Sequence, residues 1–176
     1  RPMEDCGERA PFAHLWREGA INGAWLLVHM NELDEEDFAL LESLPSDSLP
    51  HVVHCPGSHR FFGHSPFPLE RLQAMGVNVS IGTDSLASND TLSLPAELRR
   101  TAAQNTGLNA RELIEMVTLN PARALGQSGR LGVIKPGALA DLIAVPGSGN
   151  VATAHEDVVN YTGKVPWMMI DGQIIS

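Results

Sequence analysis

The chain has 176 residues, 43% of them hydrophobic, with 12 basic against 21 acidic side chains and a formal charge of −9. That balance, without any Lys/Arg run, argues against a nucleic-acid or anionic-membrane surface, and no stretch nears the ~18 uninterrupted apolar residues of a transmembrane helix. The length suits one domain, with or without a small appendage, and two cysteines, Cys6 and Cys55, are too few for a disulfide scaffold and fit a reducing cytoplasm.

The chain opens Arg1-Pro2-Met3, which is not a translation start, and no cationic-then-apolar leader follows. A piece of a longer protein is therefore expected. His14 and Glu18 fall in a helical stretch. Ala24 to Val28 form an apolar run that closes on His29 and reads as a buried strand. Asp34-Glu35-Glu36-Asp37 open an acidic first turn before Phe38, Leu40, Leu41 and Leu44, which suits a helix dipole. Val52-Val53 close on His54. A polar, aromatic-rich loop then carries Ser58, His59, His64, Phe61, Phe62 and Phe67. Pro68 to Met75 reads as a helix stopped by Gly76. Val77 to Thr83 form a third apolar run, closing on Asp84. The three polar residues that end these runs fall 25 and then 30 residues apart.

Leu94 to Asn105 predicts a helix with Pro95 in its first turn. Asn109 with Glu112 gives a capping box that opens a helix over 113–119, and Asn120-Pro121 restarts it as far as Gly126. Beyond that point the runs are short, β-like and punctuated by Gly and Pro: 131–137, 140–145, 158–161 and 167–175. Asp171-Gly172 predicts a tight hairpin. Strands alternating with helices at this spacing imply parallel βαβ units. Residues 1–127 therefore form an α/β part and 128–176 a small β unit. In an eight-stranded β/α barrel, functional groups sit at the C-terminal ends of strands, yet a closed barrel needs about 250 residues. The expectation is the back half of such a barrel, with one sheet edge bare, or else an open α/β domain.

Asp84 is the leading candidate for chemistry. A carboxylate after a strand could hold a metal ion and accept a proton from its water; alternatively Asp84 and Asn89 simply cap the next helix. His29 could ligate metal or hold a water or substrate oxygen, or be a satisfied core histidine, and His54 carries the same alternatives. There is no G-x-S-x-G elbow, Walker A loop, H-E-x-x-H or C-x-x-C.

Five segments in order carry a resemblance: Leu27-Val28-His29-Met30-Asn31, Val53-His54-Cys55-Pro56-Gly57-Ser58-His59, Gly76 through Ser85, Asn120-Pro121-Ala122-Arg123-Ala124-Leu125-Gly126 and Gly137-Ala138-Leu139-Ala140-Asp141-Leu142. From about Gly19 to Gln173 the chain resembles the C-terminal half of metal-dependent hydrolases of the amidohydrolase superfamily, in its cytosine/guanine-deaminase-like and chlorohydrolase-like branch. The resemblance implies a TIM-type barrel whose strands six to eight end in His29, His54 and Asp84, followed by returning strands of a β-sandwich. It makes Asp84 the metal-ligating aspartate and general base toward metal-bound water. His29 becomes the histidine that hydrogen-bonds the attacking water or the leaving-group region, and His54, His59 and Ser88 become substrate contacts.

The family's His-x-His pair, strand-five histidine and proton-shuttling glutamate have no counterpart here. His59 stands where relatives often carry Asn, which alters the expected substrate contacts. One of four protein ligands is too few for a tight mononuclear site. The chain alone is accordingly expected to be inactive, with its one divalent ion (zinc, or iron as the alternative) absent or weakly held. The implied activity of the complete protein is hydrolysis of non-peptide C–N bonds by metal-activated water, as deamination of a purine- or pyrimidine-like heterocycle. The alternatives are chlorohydrolase or cyclic-amidase chemistry and, in another class, a non-catalytic association domain. The partners implied are a heterocyclic substrate, the N-terminal half of the same protein and a second copy in a homo-oligomer, with no nucleic acid and no membrane.

Overall fold

The computed structural model describes residues 11–175; Cys6 and the Arg1-Pro2-Met3 start lie outside the described residues. They divide into two compact units.

The first unit takes residues up to His54 and then His59–Ser80. It opens with α1 (Pro11–Arg17) and continues through β1 (Leu26–Val28), α2 (Glu35–Ser43), β2 (His51–His54), α4 (Leu69–Ala74) and β3 (Asn78–Ile81), with α3 (Pro56–Phe62) lying across the unit boundary in sequence. The strands form one sheet in the order β1-β2-β3. β1 and β2 are parallel, with Leu26 opposite His51 and Val28 opposite Val53.

Helix α2 starts where its acidic turn predicts. The Asp34 side chain accepts from the Glu36 and Asp37 amides, and Asp37 returns the bond to the Asp34 amide. The other Asp37 oxygen accepts from the Ala13 amide at 2.9 Å, tying α1 to α2. Burial raises the Asp37 pKa above the ordinary carboxylate value. Gly76, at φ +84°, ends α4 as a residue without Cβ can. Phe12, Phe38, Leu41, Val52, Leu69, Leu72 and Val79 fill the core of this unit.

Two expectations change here. The run before His29 is not buried: Leu26 and Val28 are exposed because β1 is the edge of the sheet, with no further strand beside it among the described residues. The segment after His54 is not a loop over 56–62 but helix α3, which Pro56 can open because its missing N–H falls where a helix has no acceptor for one.

The second unit takes Cys55–Ser58 and residues from Ile81 onward. Its helices are α5 (Leu94–Gln104), α6 (Ala110–Glu115), α7 (Leu119–Ala124) and α8 (Ala154–Asn160), and its strands are β4 (Leu142–Ala144), β5 (Trp167–Ile170) and β6 (Gln173–Ile174). Ser93 caps α5, and the Asn109/Glu112 capping box opens α6. β4-β5-β6 form an antiparallel sheet. Asp171 and Gly172, at φ +48° and +76°, make the turn between β5 and β6.

The β reading of 131–137 and 158–161 is corrected. The first segment holds only an isolated bridge between Ser128 and Leu131. The second continues α8, which opens on Glu156 and Asp157 and buries Val159. Two consecutive valines suit a strand by propensity, but an acidic first turn and one buried valine fit a helix packed along α5 and α6. Leu98, Leu113, Met116, Ala122 and Val159 are the apolar centre of this unit.

Candidate active site

Three residues after β3 ends at Ile81, in the second unit, the backbone at Asp84 turns left-handed, with φ +55°. A non-glycine residue rarely adopts this conformation, although Asp and Asn tolerate it best. Two hydroxyls converge on one oxygen of the Asp84 carboxylate. Ser58 Oγ, from the first turn of α3, and Ser88 Oγ, four residues downstream, each donate to Oδ2 at 2.7 Å. Hydrogen bonds to an ionised acceptor are short and directional, and both serines are buried. Cys55, nearby in the chain, is buried. Burial first, and then the negative charge of Asp84, push its thiol up to about 11, so it stays an unreactive thiol at neutral pH.

Behind this carboxylate lies a second, fully buried one that sequence reading missed. Glu97 of α5 accepts the Gly57 amide at 2.7 Å and the Asn89 side-chain amide at 2.9 Å, and it pairs with Arg100. The Asn89 amide also donates to the Thr83 carbonyl at 2.7 Å. The signal that could have found Glu97 is its position on the face of α5 that carries Leu98 and Thr101. A carboxylate among core-facing positions requires partners. Nothing local marks Ser58, and only its contact with Asp84 singles it out.

In the first unit, His29 follows β1 with its amide donating to the Val53 carbonyl at 2.8 Å. His29 and Met30 are both left-handed, at φ +76° and +47°. His29 lines a cavity of about 680 Å³ together with Phe12, Leu15, Trp25, Val28 and His64.

His54, the last residue of β2, is buried with its ring stacked on Phe67, centroids 3.9 Å apart and planes 9° apart. Burial, then the neighbouring His59 and His29, lower its pKa to about 3, so the imidazole is neutral at physiological pH. His59 Nδ1 donates to Asn31 Oδ1 at 2.9 Å, and burial lowers its pKa also. His64 Nδ1 donates to Glu32 Oε1 at 2.8 Å. Thus the structure joins Asp84 to Ser88 in one unit, and in the other His59 and His29 lie near His54 without forming a group that could hold an ion.

A zinc site needs about four donors. Among the described residues no group of three or more His, Cys, Asp or Glu side chains comes together to hold an ion. The donors present do not make a complete metal site.

A model of the amidohydrolase family matches residues 12–175. The chain belongs to the amidohydrolase family. Within it, the chain is 35% identical over 150 residues to a 5-methylthioadenosine/S-adenosylhomocysteine deaminase of Teredinibacter turnerae, covering 81% of this chain and 33% of that one. It is 38% identical over 134 residues to a protein of the same name from Pyrococcus furiosus, covering 72% and 30%. The crystal structure of an adenosine deaminase from Xanthomonas campestris with bound zinc matches with a TM-score of 0.84 and 31% identity, over 98% of this chain and 41% of that one. The chain spans about a third of the length of the curated amidohydrolase relatives it matches. Its α/β architecture is that of a TIM-barrel family.

Proposed function

We propose that this chain is the C-terminal portion of a metal-dependent amidohydrolase that deaminates an aminated purine-like heterocycle. The observation that carries the reading is the likeness, at 35% and 38% identity, to proteins named as deaminases of adenine-bearing thioethers. In this reading β1, β2 and β3 are strands six to eight of the barrel, residues 1–127 belong to the barrel, and 128–176 supply returning strands of a β-sandwich. The N-terminal half completes the barrel and brings the remaining donors for one divalent ion, zinc before iron, to which Asp84 contributes a single carboxylate.

The reaction adds water to the amino-bearing ring carbon and expels ammonia. Asp84 takes the proton of the attacking water, a role that a positioned carboxylate fills in general base catalysis. Ser58 and Ser88 hold that carboxylate in one orientation through Oδ2. His29 hydrogen-bonds the water or the departing amine. This reading assigns substrate contacts to His54, neutral and stacked on Phe67, to His59, held by Asn31, and to Ser88, which donates to Asp84.

The test is ammonia release by the full-length, zinc-loaded protein from adenosine, 5-methylthioadenosine and S-adenosylhomocysteine. Turnover of at least one is expected. Asp84→Asn, which keeps the left-handed backbone comfortable, should lower it by about 10²- to 10⁴-fold with the fold intact. His29→Asn should cut turnover strongly while metal content stays near that of the wild type. Release of chloride from a chlorinated triazine without ammonia from any of the three would replace the deaminase reading. An active Asp84→Asn protein would remove Asp84 from its role.

A further inference from the structure

Glu97 is the one fully buried carboxylate of the second unit among the described residues, and it sits on α5, away from the strand ends. A buried charge persists only where its partners are arranged around it. Here all of those partners lead to the two segments that grip Asp84. Oε2 accepts the amide of Gly57, the residue just before Ser58. Oε1 accepts the Asn89 amide, which also holds the carbonyl of Thr83, the residue just before Asp84. Arg100 closes the arrangement by pairing with Glu97, with Asp90, and with Asn89 Oδ1 at 3.0 Å.

The fit is tight at the junction. A Cβ on Gly57 would lie 2.5 Å from the Asn89 side chain, so only glycine lets the start of α3 approach the 83–90 loop this closely. The arrangement has one polarity. Oε1 and Oε2 both face N–H donors, and a glutamine would turn its own N–H donors onto either Gly57 or Asn89.

We propose that Glu97 is a positioning residue whose carboxylate, through Gly57 and Asn89, locks the turn carrying Ser58 to the loop carrying Thr83, Asp84 and Ser88. This fixes the direction in which the Asp84 carboxylate points. The proposal rests on the reading of Asp84 as the reacting carboxylate. It assigns to Glu97 no contact with substrate and no proton transfer.

The experiment uses the full-length protein and compares Glu97→Gln with Val159→Ala. The second is a core truncation in α8 that costs stability without touching the network. For Glu97→Gln, kcat should fall about 10- to 100-fold while KM stays within about 2-fold, because a misaimed base harms the chemical step more than binding. Amide hydrogen exchange at Gly57 and across 83–90 should rise by about 10-fold or more, with β5 unchanged. Val159→Ala should leave kcat within about 2-fold of wild type at a temperature where both variants are folded.

Unchanged exchange at Gly57 and across 83–90 overturns the proposal, as does an equal loss of kcat in Val159→Ala. Should Glu97→Gln fail to fold, Asn89→Ser removes the amide that bridges Glu97 to Thr83, and the same rise in loop exchange is required of it. If the wild-type protein deaminates nothing, it is the deaminase reading that fails, and loop exchange still decides whether Glu97 holds the two segments together.

Discussion

At His54 a titratable ring lies where water does not reach, flat against Phe67, and the cost of charging it there lowers its pKa from 6.5 to about 3. The sign of the consequence follows. Below pH 6.5 the unfolded chain binds a proton at this residue that the folded chain refuses, so stability falls as pH drops through 6.5 toward 3. The full slope is about 1.4 kcal/mol per pH unit, which amounts to about 2 kcal/mol between pH 7 and pH 5. His54→Phe keeps a ring against Phe67 and removes the titration. Its Nδ1 has no hydrogen-bond partner among the described residues, so the replacement sacrifices no bond there. Urea unfolding at the two pH values should show the variant losing about 2 kcal/mol less than wild type on acidification. An equal loss would mean that His54 charges freely in the folded protein. His54 is therefore a neutral group, packed flat against Phe67. Asp84, by contrast, is held by two hydroxyls that donate to its carboxylate.

Elements with strong local end signals form where their sequence says. Helix α2 begins at the Asp34/Asp37 box, α5 at Ser93 and α6 at the Asn109/Glu112 box, because each cap answers orphan amides within its own turn. The hairpin between β5 and β6 is equally local. Asp171 and Gly172 both need positive φ, and a Cβ on Gly172 would meet no atom within 4 Å. Gly172→Ala therefore isolates the backbone cost, and it should destabilise by about 1 kcal/mol in denaturant unfolding. A much larger loss would point to a steric conflict that the turn does not contain. Where local signals compete, the neighbours decide. The valine pair of α8 and the segment of α3 after Pro56 look like strand and loop until their neighbours are known.

Asp84, Ser58, Ser88 and Glu97 belong to one unit, and His29, His54 and His59 to the other. Among the described residues neither unit gathers three metal-ligating side chains. At this scale the prediction concerns affinity. The 176-residue chain purified alone should retain well under one equivalent of zinc after dialysis, by elemental analysis, while the full-length protein retains about one, since a single carboxylate falls short of about four donors. Stoichiometric zinc on the isolated chain would show that its own residues assemble a complete ligand set. The apolar exposure of β1, with Trp25, Leu26 and Val28 at the sheet edge, also belongs to this scale, because no local feature of that strand reveals it.

By itself the sequence determined the alternation of strands and helices up to α7, the starts of α2, α5 and α6, the β5–β6 turn, and the placement of His29, His54 and Asp84 at or just beyond strand ends. All of these follow from period, caps and turn residues acting over a few positions, and the ordered segments carried the family. Only the tertiary structure decided that Ser58 and Ser88 share one Asp84 oxygen, that Phe67 covers His54, and that Glu97 is buried between Gly57 and Asn89. Glu97 and Gly57 are separated by 40 positions. A contact across that distance has no local propensity to announce it, and it exists because the fold removes water from a carboxylate and must supply its donors from wherever the chain returns.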